Sequence, residues 1–210
     1  YMDLSGTMAG YKRGSGDDLH RCCRELRRVL YGAEVLDLEA AGFGTSIDDM
    51  QPINGISEVL GWSMDRPNTC LSTPFEREAQ LRSTSEGSAM SIVVTDAVAS
   101  ASSRTDCAGC TSGSDVVCVA DAMRRYVETG VGLWVLGLRM PFQGTYYPEC
   151  GDAGALPVRH TVGRPIYFVI GGANVDVGRR VVSEMVDWAQ GRLSANAVMA
   201  VEVYPGRWSG

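Results

Sequence analysis

The chain has 210 residues, 45% hydrophobic and 21% charged, with 25 Gly and 8 Pro; these values suit a globular fold and exclude collagen-like, disordered and disulfide-miniprotein classes. The 19 basic and 25 acidic residues leave a net charge of -6, the wrong sign for a surface that must neutralise many phosphates or an anionic membrane. The length suits a single α/β domain that buries roughly 70% of the surface of its unfolded chain.

Taken in chain order, Tyr1 to Asp3 reads as the end of a first strand whose beginning is clipped, so the chain is expected to be part of a larger protein or complex. Leu19, Cys22, Cys23, Leu26, Val29 and Leu30 recur at helical spacing and predict an amphipathic helix over Asp17 to Tyr31, ended by Gly32. Ala33 to Ala41 alternates apolar and acidic residues and predicts a strand, with Gly42 to Ile47 as a short hairpin partner at a sheet edge. Ile53 to Trp62 is expected to be a short helix, and Thr73-Pro74-Phe75-Glu76 opens another, with proline at the first helical position.

Ser91 to Thr95 is a β-branched run and predicts a buried strand, while the small polar residues 99–114 predict a loop. Helical spacing returns from Val116 to Tyr126, followed by a fully apolar strand from Val131 to Leu138. After an irregular stretch over 141–164, Pro165 to Ile170 predicts a strand, Val177 to Trp188 a helix, and Ala197 to Tyr204 a last strand or the start of a linker within 191–210. Apolar strands alternating with amphipathic helices predict one doubly wound, Rossmann-like α/β domain over 1–210: a mostly parallel sheet, helices on both faces, and one short antiparallel edge strand. No run of 18 apolar residues and no signal-peptide layout is present, which predicts no membrane span.

Ligands of such sheets gather in loops at the carboxyl ends of the strands. Asp3, Ser5 and Thr7 occupy alternate positions in the first of these loops, so an extended backbone points three oxygen-bearing side chains to one side. One or two carboxylates with neutral hydroxyls suit a Mg²⁺ that keeps several waters; a tight calcium cage wants more carboxylate. The Asn68-Thr69 region and Thr95-Asp96 add oxygen donors in later loops.

This Asp-x-Ser-x-Thr loop, with Gly6 inside it and Asp96 after a buried strand, resembles the metal-ion-dependent adhesion site (MIDAS) of von Willebrand factor A-type (VWA) domains. The resemblance is specific only at the first loop plus Asp96. It implies a metal set of Asp3, Ser5, Thr7, Thr69 and Asp96, with Thr73 as the alternative middle-loop threonine; Ala97 stands where the family carries glycine. It implies Mg²⁺, or Mn²⁺ or Ca²⁺ in its place, and a non-enzymatic module for protein-protein interaction that binds an acidic side chain of a partner through an open metal position.

Two other readings remain beside it. Asp-Leu-Ser-Gly-Thr also resembles the nucleophile loop of haloacid dehalogenase phosphotransferases, with Asp3 as nucleophile, but Lys12 is the only lysine and lies too early to hold a phosphoryl group. A structural α/β module with a vestigial loop, Ser5 and Thr7 serving only as caps, is the other. Cys107, Cys110 and Cys118 form a weak signal for zinc, with Cys150 or His160 as a fourth ligand, or for a disulfide, against unpaired thiols in a loop. His20 is expected to be solvated, and Arg179-Arg180 to form a solvated face. The aromatic stretch Met140 to Pro148 is expected near the metal loop, as a partner anchor or as packing on the domain. Seven cysteines, an odd number, predict reduced thiols and a cytoplasmic chain, or an extracellular one if a leader is missing.

Overall fold

The computed structural model describes residues 1–14, 18–84, 90–97, 115–146, 158–160, 163–192 and 198–203. Its centre is an open six-stranded mixed sheet with helices on both faces. In spatial order the strands are β3 (Gly42–Phe43), β1 (Met2–Asp3), β5 (Met90–Thr95), β9 (Arg164–Gly172), β6 (Gly132–Met140) and β10 (Val198–Val203), with β10 and β6 at the opposite side from β3. Two smaller pairings lie outside it: β2 (Glu39–Ala40) with β4 (Gln51–Pro52), and β7 (Gly144–Tyr146) with β8 (Val158–His160).

Period-2 alternation assigns each strand residue to a face. Ile166, Phe168 and Ile170 of β9 join Trp134, Leu136 and Leu138 of β6 in one core, together with α2 (Asp18–Gly32) and α5 (Val175–Arg192). Val93, Leu133 and Val169 face the other way, under α3 (Thr73–Ser83) and α4 (Asp115–Glu128), with Phe75, Ala122 and Tyr126. The buried residues of α2 are the six of the predicted stripe. A short helix, α1 (Ala9–Gly14), follows the first loop; its Tyr11 is buried and donates a hydrogen bond to the Pro165 carbonyl at 2.5 Å.

The directions differ from the expected plan. β3, β1 and β5 are parallel neighbours, and β6 runs the same way, but β9 lies antiparallel between β5 and β6, and β10 is antiparallel to β6. Two antiparallel strands therefore stand where one short edge strand was expected, and the nine-residue β9 is interior. The connection over 141–163 carries the β7–β8 pairing, and the chain returns directly beside β6, from Met140 to its partner Arg164. A parallel return would need a crossover connection, usually a helix, and the described residues of 141–163 hold none.

Two predicted elements are corrected. The strand expected over Ala33 to Ala41 is reduced to Glu39–Ala40, because α2 closes with Glu34 at φ 62° and the Val35 amide bonded back to the Leu30 carbonyl at 3.0 Å. The helix expected at Ile53 to Trp62 is a single 3-10 segment, Ile56–Gly61. No described helix is long and apolar enough to cross a membrane. The predicted loop 99–114 lies outside the described residues.

Candidate metal centre

Three segments meet where β1 and β5 end. Met2 pairs with both Gly42 and Val94, so Asp3 and Thr95 are neighbours at the carboxyl ends of parallel strands. Beyond Asp3 the chain bridges to Arg66: the Arg66 amide donates to the Leu4 carbonyl at 3.0 Å, and the Gly6 amide to the Arg66 carbonyl at 3.2 Å. This brings the 66–70 loop alongside the first loop and sets Thr69 against Asp3. The Met8 amide then bonds to the Ser5 carbonyl, and the chain turns into α1.

Asp3 is fully buried, and Ser5, Thr7, Thr69, Thr95 and Asp96 are buried around it or beside it. Asp3 Oδ1 accepts hydrogen bonds from the Ser5 amide at 2.8 Å and from Thr69 Oγ1 at 3.2 Å; Oδ2 accepts one from Thr95 Oγ1 at 2.7 Å. The direction of the Thr95 bond is fixed, because the Ala97 amide donates to the same Oγ1 at 3.0 Å and leaves the hydroxyl proton to Asp3. These three groups around Asp3 are donors, an environment for a carboxylate anion. Burial nevertheless pushes the Asp3 carboxyl above its ordinary range, opposed by the bonds from Ser5, Thr95 and Thr69.

Ser5 Oγ and Thr7 Oγ1 lie 3.0 Å apart. Asp96 follows the last residue of β5 directly and is buried at the same end of the sheet. The sequence-predicted set of Asp3, Ser5, Thr7, Thr69 and Asp96 is thus brought to one end of β1 and β5. Thr73, the alternative to Thr69, begins α3, and its buried Oγ1 has no hydrogen-bond partner. Sequence reasoning counted Thr95 among the oxygen donors but did not place it in the set around Asp3. Its signal was available: on a period-2 strand ending beside Asp3, the residue before Asp96 faces the first strand's aspartate.

The donors here are hard oxygens, and among the described residues no three His, Cys, Asp or Glu side chains converge. That chemistry fits Mg²⁺ better than zinc. Arg66, the nearest basic side chain along the loop, is turned aside by Asp48, whose two carboxylate oxygens each lie 2.6 Å from one guanidinium nitrogen.

The remaining candidates resolve as follows. Phe142 is buried and packs edge-on against Tyr11, with ring centroids 5.1 Å apart, so this part of the aromatic stretch packs on the domain; Tyr147 and Pro148 lie outside the described residues. Cys70 and Cys118 are disulfide-bonded and Cys22 and Cys23 are free, which corrects the expectation of reduced thiols throughout and removes Cys118 as a zinc thiolate. Cys107, Cys110, Cys150 and the His160 side chain lie outside the described residues. His20 is exposed on α2. Arg179 is held by Glu202 and Asp176, and Arg180 donates to the Gly32 carbonyl at 2.6 Å.

No protein-family model matches the chain, and no curated protein or solved structure matches it.

Proposed function

We propose that the cluster is a Mg²⁺ site of the VWA adhesion type, formed by Asp3, Ser5, Thr7, Thr69 and Asp96, and that the chain is a non-enzymatic interaction module recognising an acidic side chain of a partner protein. The observation that carries this reading is a buried carboxylate surrounded by donors: the bonds favour the anion while burial opposes it, and a cation at the neighbouring hydroxyls reconciles the two. Adjacent ligands of an octahedral Mg²⁺ at about 2.0–2.1 Å lie about 2.9–3.0 Å apart, against about 3.3–3.7 Å for Ca²⁺. Ser5 Oγ and Thr7 Oγ1, hydrogen-bonded to each other at 3.0 Å, are close enough to bind one such ion together.

In this arrangement Ser5 and Thr7 bind the ion directly, and Asp3, with three donors already on its carboxylate, acts through water. An ion held by neutral hydroxyls keeps most of its charge for an arriving carboxylate. Gly6, exposed between Ser5 and Thr7, leaves that approach open, since a Cβ added there would meet nothing within 4 Å. The phosphotransferase alternative draws less support, because both Asp3 oxygens are engaged and Lys12 donates to the Trp62 carbonyl at 3.1 Å. The disulfide-bonded Cys70 and Cys118 favour the extracellular alternative over the cytoplasmic one.

Calorimetric titration of Mg²⁺ into the metal-free protein tests the site. Binding heat is expected from the parent chain and none from the Asp3→Ala, Ser5→Ala double variant. Equal heats from both would remove the metal assignment, and partner capture that persists in a chelator would point to the vestigial-loop alternative.

A further inference from the structure

The first loop has flanks of opposite charge. On one side it runs into α1, and two other segments lie along that helix: Tyr11 donates to the Pro165 carbonyl, the Gln143 amide donates to the Gly10 carbonyl at 3.0 Å, and Phe142 packs against Tyr11. The segments 9–14, 140–144 and 164–166 contain Lys12, Arg13 and Arg164 and no Asp or Glu. Lys12 donates to a neutral carbonyl, that of Trp62, and so keeps its charge. Arg13 is exposed, and it has no ion pair among the described residues.

Two of these cations border one ring. The Arg164 guanidinium carbon stands 5.9 Å from the centre of Phe142. A Cβ built at Gly144 would lie 3.3 Å from Phe142 and 3.5 Å from an Arg13 guanidinium nitrogen, so only that glycine separates the Arg13 head from the ring. The opposite flank is acidic on balance: Arg66, which bridges to Ser5, is tied to Asp48 at 2.6 Å, and the exposed Asp65 accepts a hydrogen bond from Ser63 Oγ at 3.0 Å.

Resting on the metal reading above, we propose that the partner segment is an acidic peptide whose second carboxylate is held by Arg13 and Arg164 while the first meets the ion. Between Thr7 and Arg13 the chain makes a short step to Ala9 and then a helical rise, which keeps the two Cα atoms within about 13 Å. An extended peptide at about 3.3 Å per residue covers that span in about four residues. Each guanidinium offers paired donors that match a carboxylate. The net charge of -6 repels an acidic peptide at long range, so the attraction is local to the ion and this patch, and Asp65 directs the segment away from the other flank.

The test is calorimetric titration of the 210-residue chain, first with Mg²⁺ alone and then, at saturating Mg²⁺, with three capped glycine-serine peptides. One carries a single aspartate, one carries two aspartates at the spacing above, and one carries an aspartate and a lysine at that spacing. Two equivalent aspartates give about twofold by statistics alone; the two-aspartate peptide is expected to bind about five- to tenfold tighter than the single-aspartate one, and the lysine peptide no tighter than it. Arg13→Glu is expected to bring the gain down to the statistical value or below. Mg²⁺ heat with only the statistical gain, tighter binding of the lysine peptide, or a gain unchanged in Arg13→Glu would overturn this inference and leave the metal reading standing. Mg²⁺ heat without binding of any peptide would overturn the partner reading together with this inference, and absence of Mg²⁺ heat would remove the metal reading and both. Should Arg13→Glu fail to fold, Arg13→Gln is expected to lower the gain in the same direction, and an unchanged gain there would equally overturn the inference.

Discussion

Replacing Thr95 by valine tests the donor shell around Asp3 with almost no change of shape. The substitution removes one hydrogen bond to a buried carboxylate, at 2.7 Å, and leaves the Ala97 amide without its acceptor at 3.0 Å. A hydrogen bond to a charged group contributes about 1.5–3 kcal/mol, and a partly buried orphaned amide costs about 1 kcal/mol more. The metal-free variant is therefore expected to lose about 2.5–4 kcal/mol of stability, read by urea denaturation followed through tryptophan fluorescence. Because Thr95 joins Asp3 to the turn after Asp96, Mg²⁺ affinity is expected to fall by about 10–100-fold in calorimetry, the range for groups that orient metal ligands. Thr95→Ser keeps the hydroxyl and should restore both quantities. A Thr95→Val protein within about 0.5 kcal/mol of the parent, or a Thr95→Ser protein as impaired as Thr95→Val, would refute the reasoning.

Burial raises the Cys22 thiol well above its usual value and pushes Cys23 up to about 12. Both are held protonated in the fold, so their contribution is complete below about pH 9 and lost as pH rises toward 12, at about 1.4 kcal/mol per pH unit per thiol; circular dichroism during alkaline titration should show a shallower decline for Cys23→Ala. Gly178→Ala places a Cβ 2.3 Å from the Trp134 ring and is expected to cost about 1–3 kcal/mol, a fall in Tm of about 3–10 °C by calorimetry. Ala97 sits at φ 57°, where a side chain costs about 1–2 kcal/mol, partly offset by the greater chain entropy of glycine. Ala97→Gly should therefore gain about 0.5–1 kcal/mol in urea denaturation, and a net loss would count against strain at this turn.

Some of the fold was legible because the deciding information is local. The stripe of Leu19, Cys22, Cys23, Leu26, Val29 and Leu30 can be buried all at once only by a helix, and the structure buries those residues. Residues 33–38 show the limit of the same rule. Val35 and Leu36 alternate with acidic neighbours as a strand would, but the left-handed Glu34 and the bond from Val35 back to Leu30 keep that stretch attached to the end of α2. Strand direction is not written in a strand's own composition: Pro165 to Ile170 is apolar whichever way it runs. The absence of helical spacing over 141–164 was the informative signal, since a parallel return would have needed a crossover helix. Cys70 and Cys118 are disulfide-bonded, and spacing alone could not give that.

The candidate centre survives the correction in strand direction because it depends on only three strands. β3, β1 and β5 are mutually parallel in register, with Met2 beside both Gly42 and Val94, so their carboxyl ends lie along one edge and the loops after β1 and β5 open side by side. The antiparallel β9 and β10 join on the far side of β5, where they extend the core without touching that register. Proximity of Asp3, Thr95 and Asp96 then follows from pairing geometry. Thr69 needs a separate cause, which is the bridge between Ser5 and Arg66. A buried aspartate placed there by backbone pairing must be neutralised or supplied with donors and a counter-ion, and this chain supplies the donors from its amide and its threonines. The proposed Mg²⁺ beside Ser5 and Thr7 would supply the counter-ion.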